Sequence, residues 1–137
     1  MKFVIDASVI LKIALVENED DQQIALAILK LFQDGQTDIV LPSFWLFEVG
    51  NTLIRKKVDF EKLYSFLLEI GFRQHNFSRT ELIEVGTFAK TFNVSFYDAS
   101  YQILAKLINY TFVTADEKYF EKAKKAGNIS LLKSLKI

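Results

Sequence analysis

Four acidic residues stand in apolar stretches of the sequence and are the first candidates for chemistry. Asp6 follows the strand-like run FVI, and Asp116 follows the run FVTA. Glu48 and Asp98 stand near the starts of apolar runs that have helical spacing. A carboxylate in such surroundings requires a partner, a helix cap or a cation, because burying it alone is costly.

These acids predict a site for a divalent metal ion. Four carboxylates gathered at one edge of a sheet would repel each other, and a divalent cation relieves that repulsion. The chain has no Cys and a single His, so oxygen ligands favour Mg²⁺ or Mn²⁺ over zinc or copper. One such ion, or two roughly 4 Å apart, can activate water for phosphodiester hydrolysis. This chemistry requires no covalent nucleophile.

Helix capping is the alternative explanation for three of the acids. Asp6 and Asp116 each precede a predicted helix, and Asp98 has capping-box spacing from Ser95. Taken singly, capping is the favoured explanation for Asp98 and Asp116. Capping does not explain Glu48, because the Pro-Ser pair before its helix already accounts for the helix start.

Composition narrows the class of protein. The 137 residues include 17 basic and 17 acidic side chains, and half are hydrophobic. These values predict a single domain spanning residues 1–137. No apolar run reaches the roughly 18 residues of a membrane-spanning helix, and the N-terminus lacks a signal-peptide pattern, so we expect a cytoplasmic protein without membrane association.

Charge is distributed unevenly along the chain. Residues 1–50 contain 3 basic and 8 acidic groups, whereas residues 101–137 contain 7 and 3. We expect an acidic pocket bordered by basic helices. The lysine-rich last helix is interpreted as a solvated face, with RNA contact as the alternative.

Short apolar runs alternate with segments of helical spacing, which is typical of parallel βαβ units. The predicted class is α/β, a three-layer α/β/α domain with a parallel sheet of about five strands. The predicted strands cover residues 2–5, 38–41, 72–77 at the sheet edge, 111–113 and 129–132.

Helices are predicted between these strands from their caps and periodicity. The first covers residues 8–16, an acidic turn covers 17–21, and the next helix ends at Phe32. Pro42 is predicted to open a helix that reaches Arg55. Asp59 caps the next helix, and Ser78 with Glu81 forms a capping box. Further helices end near residues 92, 109 and 126.

Four short stretches carry a family resemblance. They are VIDASVILK at residues 4–12, EVGNTL at 48–53, YDASYQILA at 97–105 and FVTAD at 112–116. In order and spacing, the chain resembles the PIN domain, the metal-dependent ribonuclease fold of VapC-like toxins from VapBC toxin–antitoxin pairs.

The resemblance implies a catalytic and metal-binding acidic set with neighbouring hydroxyl groups. The acids are Asp6, Glu48, Asp98 and Asp116, and the hydroxyl neighbours are Ser8 and Thr114. Asn51, about one turn after Glu48, would share its helix face and orient its carboxylate. Lys12 is a candidate contact for substrate phosphate, with simple solvation as the alternative.

Two hypotheses of function follow. In the first, the acids hold one or two Mg²⁺ or Mn²⁺ ions and the protein cleaves single-stranded RNA, leaving, as the resemblance implies, 5′-phosphate and 3′-hydroxyl ends. Asp6 and Asp98 are the expected direct ligands, Glu48 a ligand or base, and Asp116 acts through a second ion or a water. In the second, the protein is a catalytically weak binding module.

The resemblance also suggests partners, namely a second copy in a homodimer and a VapB-like antitoxin. The antitoxin is expected near the helix hairpin that follows Pro42. Trp45 or Tyr64 is the expected exposed contact there.

Overall fold

Strands and helices alternate to build a parallel sheet between two helix layers. The computed structural model describes residues 1–15 and 21–137. Over these residues the strands are β1 (Lys2–Ile5), β2 (Asp38–Pro42), β3 (Arg73–His75), β4 (Thr111–Thr114) and β5 (Ile129–Leu131). Their order is β3-β2-β1-β4-β5, and each neighbouring pair is parallel.

The helices connect these strands. They are α1 (Ala7–Ala14), α2 (Gln22–Gln33), α3 (Trp45–Arg55), α4 (Phe60–Glu69), α5 (Arg79–Phe92), α6 (Phe96–Ile108) and α7 (Glu117–Ala123). None of the helices in the described residues is long and apolar enough to cross a membrane.

Side-chain alternation along the strands divides the core into two layers. On β1, Phe3 and Ile5 pack with α1 to α4, whereas Val4 points to the opposite face and packs with α5 to α7. Successive strand residues point to opposite faces, so short apolar strands can serve both layers. This arrangement confirms the predicted α/β/α class and its five-stranded parallel sheet.

The sheet order determines where the acids meet. β1 and β4 are neighbours with Ile5 opposite Val113, so Asp6 and Asp116 follow adjacent strands at the same edge. Ligands of open α/β sheets bind at this carboxyl edge. The predicted juxtaposition of these two acids is therefore a property of the topology.

One predicted helix start is wrong. Pro42 is the last residue of β2, opposite His75 of β3, and α3 begins three residues later at Trp45. Proline cannot donate a ladder hydrogen bond, but it is accepted at a strand end. The peptide N–H that does bond there belongs to Ser43, which donates to the carbonyl oxygen of His75 at 3.1 Å.

The other predicted boundaries differ by a few residues. The first helix was expected to end at Val16 and ends at Ala14. Val16 and residues 17–20 of the predicted acidic turn lie outside the described residues, while Asp21 directly precedes α2. The predicted edge strand is present as β3, and the capping box of Ser78 and Glu81 is present in both directions.

Candidate functional site

Asp6 lies at the carboxyl end of β1, with its carboxylate almost fully buried at 7% exposure. Its side chain caps α1 by accepting from the Val9 N–H at 3.3 Å. The Ser8 hydroxyl donates to Oδ1, and the Thr114 hydroxyl donates to Oδ2 at 2.6 Å. The predicted cap and the predicted hydroxyl neighbours are thus present around one carboxylate.

Burial has the largest effect on the pKa of the Asp6 carboxyl. It raises the pKa of this carboxyl to about 6, against the bonds from Ser8, Thr114 and Val9, which lower it. The negative charge of Asp98 raises the pKa further. A buried carboxylate with a like-charged neighbour is electrostatically unfavourable without a cation.

The hydroxyl groups beside Asp6 also connect it to the neighbouring strand end. Thr114 Oγ1 accepts from the Asp116 N–H at 3.0 Å, and Ser8 Oγ accepts from the Ala115 N–H at 3.1 Å. The Asp116 side chain caps α7 by accepting from the Tyr119 N–H at 3.0 Å. The predicted cap at Asp116 is confirmed, and the cap itself lies at the acidic edge.

Glu48 lies half-buried in the first turn of α3. The hydroxyl of Tyr101, on α6, donates to Glu48 Oε1 at 2.7 Å. Burial raises the pKa of Glu48, the bond from Tyr101 lowers it, and the charge of Asp98 raises it. Tyr101 is fully buried, and burial followed by the charge of Glu48 raises the pKa of its hydroxyl far above the usual range.

Tyr101 was not predicted as part of the site. It is 53 residues from Glu48 in the chain, and a Tyr in an apolar helix resembles ordinary core packing. The sequence contained only an indirect signal, namely that a half-buried glutamate requires a donor from some other element.

Asp98 is the acid that couples to the other three. It lies in the first turn of α6, where its N–H donates to the Ser95 hydroxyl oxygen at 3.0 Å. Burial raises its pKa, the Ser95 hydroxyl lowers it, and the charge of Asp116 raises it. The charge of Asp98 also raises the pKa of Asp6 and of Glu48, so Asp98 interacts electrostatically with each of the other three acids.

The acids fit a hard divalent cation in their chemistry. All four are oxygen donors, and three of them have raised pKa values from burial and like charge. In residues 1–15 and 21–137, no three His, Cys, Asp or Glu side chains lie close enough to hold a metal ion together. Instead, the carboxylates of Asp6, Glu48 and Asp116 are each held by protein donors.

Two clefts open beside these acids. The larger, of about 670 Å³, has Glu48 and Asn51 in its wall; its lining is Ala7, Phe44, Phe47, Glu48, Asn51, Thr52, Arg55 and Tyr97. The smaller, of about 220 Å³, contains Asp98, Asp116 and Lys118. The acidic edge therefore has one aromatic flank and one flank with a lysine.

Three residues that the sequence suggested as contacts for RNA or a protein partner bind within the protein instead. Lys12 forms an ion pair with Asp21 at 3.1 Å, and its side chain is 13% exposed. Trp45 is buried in the core, and the Tyr64 hydroxyl donates to the Leu46 carbonyl oxygen at 2.5 Å. Of the two expected exposed contacts, Trp45 is therefore wrong and Tyr64 is half-buried; the aromatic side chain that α3 exposes is Phe47.

The family model described as PIN domain matches residues 3–126. No curated protein matches the chain significantly.

Three solved structures share the fold. PAE2754 from Pyrobaculum aerophilum has 22% identity and a TM-score of 0.69, over 98% of this chain and 94% of that chain. FitAcB from Neisseria gonorrhoeae has 16% identity and a TM-score of 0.65, over 97% and 99%. VapBC2 from Rickettsia felis, bound to a DNA fragment from its promoter, has 17% identity and a TM-score of 0.64, over 96% and 97%.

Proposed function

Because the chain belongs to the PIN domain family, whose members are generally nucleases, we propose that it is a metal-dependent endoribonuclease. Its substrate is single-stranded RNA, its cofactor is Mg²⁺ or Mn²⁺, and the whole chain of residues 1–137 acts as one domain. The observation that carries this proposal is the buried Asp6, which is held by two hydroxyls and coupled to Asp98 at the carboxyl edge of the sheet.

Each acid has a role in this proposal. Asp6 and Asp98 would hold a bound metal ion directly, and Asp116 would hold a second ion or act through a water. Ser8 and Thr114 fix the orientation of the Asp6 carboxylate. A bound Mg²⁺ or Mn²⁺ would activate water and stabilise negative charge on the phosphodiester oxygens.

Glu48 acts as a base or as a further ligand. Tyr101 donates to Oε1, which reduces the basicity of that oxygen, so we assign to Oε2 the proton taken from the attacking water. The water oxygen bonds to phosphorus as the P–O3′ bond breaks, and the departing 3′-oxygen takes a proton from solvent, which leaves a 5′-phosphate and a 3′-hydroxyl.

We place the protein in a toxin–antitoxin pair, as the toxin. The names VapBC2 and FitAcB describe two-component assemblies with this fold, which supports a VapB-like antitoxin as partner. Ile54, Val58 and Leu68 expose apolar surface on the α3–α4 hairpin, which supports docking of an antitoxin or of a second copy in a homodimer. The proposed location is the cytoplasm, where such a ribonuclease meets its RNA.

A second candidate function is a catalytically weak module that binds a protein partner. It is favoured by the separation of the acids, since no three of them converge in the described part of the chain. Under this alternative Asp6 and Asp116 serve only as helix caps, and Glu48 serves only as the acceptor for Tyr101.

An RNA-cleavage assay with and without EDTA tests the proposal. The purified protein should cut single-stranded RNA with Mg²⁺ or Mn²⁺ and should stop when EDTA is added. Asp6→Asn should abolish cleavage. Asp59→Asn is the matched control, because Asp59 also caps a helix, accepting from the Lys62 N–H at 3.1 Å, but it lies outside the acidic edge. Undiminished cleavage by Asp6→Asn would refute the role assigned to Asp6, whereas absence of metal-dependent cleavage by the original protein would favour the binding module.

A further inference from the structure

The larger cleft beside the acids is lined by one continuous face of α3. Glu48, Asn51, Thr52 and Arg55 follow each other at spacings of three, four and seven residues from Glu48. This spacing places them in one stripe, with Arg55 roughly 10 Å along the helix axis from Glu48. The stripe therefore runs from the acidic edge to a guanidinium group.

Packing of the hairpin leaves this polar stripe open. Trp45, Val49 and Leu53 on another side of α3 are buried in the core. Helix α4 packs closely at Gly50, where a Cβ would lie 3.3 Å from the Tyr64 ring. The core and α4 thus cover other sides of α3, and the cleft retains its opening.

Aromatic rings also line the cleft: Phe47 lies on α3 beside the stripe, and Phe44 and Tyr97 form a second wall outside that helix. Phe44 packs edge-on against Tyr97 at 5.2 Å and against Tyr101 at 5.5 Å, so the buried Tyr101 braces the wall from behind. Tyr97 is 59% exposed and Phe47 80% exposed. Flat rings on a braced wall are suited to stacking with nucleic-acid bases.

Arg55 provides a positive charge at the far end of the cleft. It is exposed, and among the ion pairs of the described residues none involves Arg55. Guanidinium groups bind phosphate in a fork geometry. Its position in the last turn of α3 favours a cation there but does not supply an anionic partner.

We propose that this cleft binds one nucleotide of a single-stranded RNA, next to the phosphodiester that the acids cleave. The base stacks on Phe47 and Tyr97, the phosphate binds Arg55, and the Asn51 amide bonds to a base edge. This inference rests on the proposed function and adds the residues that hold the strand. It assigns Arg55, on α3, rather than Lys12, to the phosphate.

The mixture of groups favours RNA over a protein segment as the occupant. An apolar docking groove would not require a guanidinium, an amide and a carboxylate in the same stripe. A single strand offers a flat base for the rings and a phosphate for Arg55, which matches both walls of the cleft.

Fluorescence anisotropy with a labelled, mixed-sequence RNA oligonucleotide tests the proposal, in EDTA so that cleavage does not interfere. Phe47→Ala and Tyr97→Ala should each weaken RNA binding about tenfold or more. Phe47→Leu should weaken it nearly as much, since leucine retains apolar area without a flat ring. Phe66→Ala is the matched control, because Phe66 is an exposed aromatic on α4 outside the cleft.

Arg55→Gln should weaken binding and lower the salt dependence of the affinity by about one phosphate contact. Arg79→Gln, on the exposed start of α5, is its control. In Mg²⁺, the aromatic variants should raise KM while kcat stays within about twofold. A DNA oligonucleotide of the same sequence should lose affinity to the same variants, because none of the proposed contacts involves the 2′-hydroxyl; DNA binding that ignores these substitutions would overturn the proposed contacts.

The outcomes separate this inference from the proposed function. If the protein binds RNA through these residues but never cleaves it, the proposed function fails and the subsite stands. If the protein cleaves RNA and the cleft variants match their controls, the subsite is refuted. If Phe47→Ala changes only the oligomeric state by light scattering, the cleft is an interface between copies and the proposal is overturned.

Discussion

The hydroxyl of Tyr101 donates a hydrogen bond to Glu48 Oε1 at 2.7 Å and joins α6 to α3. Tyr101 is fully buried and stacks on Phe112 with ring centroids 5.8 Å apart, so the core fixes its position. The half-buried Glu48 thereby acquires a defined orientation at the acidic edge. A carboxylate that can take a proton from water is more effective when its orientation is fixed before the reaction.

Tyr101→Phe tests this relationship. The ring is retained, so the fold should persist, while loss of the bond to a carboxylate should cost about 1.5 kcal/mol of unfolding free energy in urea. In a double-mutant cycle with Glu48→Gln, the two changes should be non-additive by about 1 kcal/mol. Tyr110→Phe is the matched control, because its hydroxyl donates to Asp38 away from the acids. Full additivity of Tyr101 and Glu48 would contradict the coupling.

Asp6→Asn should stabilise the protein at neutral pH. Burial raises the pKa of Asp6 from 3.8 to about 6, so the folded protein binds the proton more tightly than the unfolded chain. The resulting stability is fully present below pH 3.8 and is lost as the pH rises through about 6. Asn retains the cap without the charge, so unfolding above that pH should cost roughly 1 to 3 kcal/mol more than in the original protein.

Thermal unfolding across this pH range is the measurement. The stability of the original protein should fall between about pH 4 and about pH 6.5, and Asp6→Asn should remove much of that slope. Equal slopes for the two proteins would show that Asp6 does not carry the buried charge.

A bound metal ion should offset the repulsion between the carboxylates at the acidic edge. Mn²⁺ or Mg²⁺ should raise the unfolding temperature, with a gain of about 2.7 kcal/mol when the ion is present at a hundredfold excess over Kd. Asp98→Asn should weaken binding most, because Asp98 couples to Asp6, Glu48 and Asp116. Calorimetric titration with Mn²⁺ measures this, with Asp59→Asn as the control. No heat and no stabilisation in the original protein would argue for the binding module.

Local patterns were sufficient to predict much of the fold. The apolar strand runs, the Ser78–Glu81 capping box and the Asp59 cap depend on neighbours within a few residues, and all are present. Pro42 misled the prediction because proline suits both a helix start and a strand end. Its environment is decided by β3, which pairs with β2 from more than thirty residues away in the chain.

The contacts around the acids required the tertiary structure. Spacing on α3 placed Asn51 beside Glu48, and Asn51 does line the same cleft. The donor that holds Glu48, however, comes from Tyr101 on another helix. Likewise, Lys12 could be placed on the first helix from the sequence, but its pairing with Asp21 depends on how α1 and α2 pack.

Thr114→Val tests the hydroxyl that links two of the acids. Thr114 Oγ1 donates to Asp6 Oδ2 at 2.6 Å and accepts from the Asp116 N–H at 3.0 Å. Valine has a similar shape but neither donor nor acceptor, so both groups lose a partner, and the cost should be about 2 kcal/mol at neutral pH. Loss of the donor should also raise the pKa of Asp6 further, because the Thr114 bond lowers it.

The pH dependence of that cost identifies its cause. Only the ionised Asp6 depends strongly on the donated hydrogen bond, so the loss in Thr114→Val should be larger at about pH 8 than at about pH 5. Thr114→Ser retains the hydroxyl and should show no such difference. Urea unfolding of the three proteins at both pH values is the measurement. The same loss for Thr114→Val at both would mean that the hydroxyl stabilises the strand end through Asp116 alone, and that Asp6 does not depend on it.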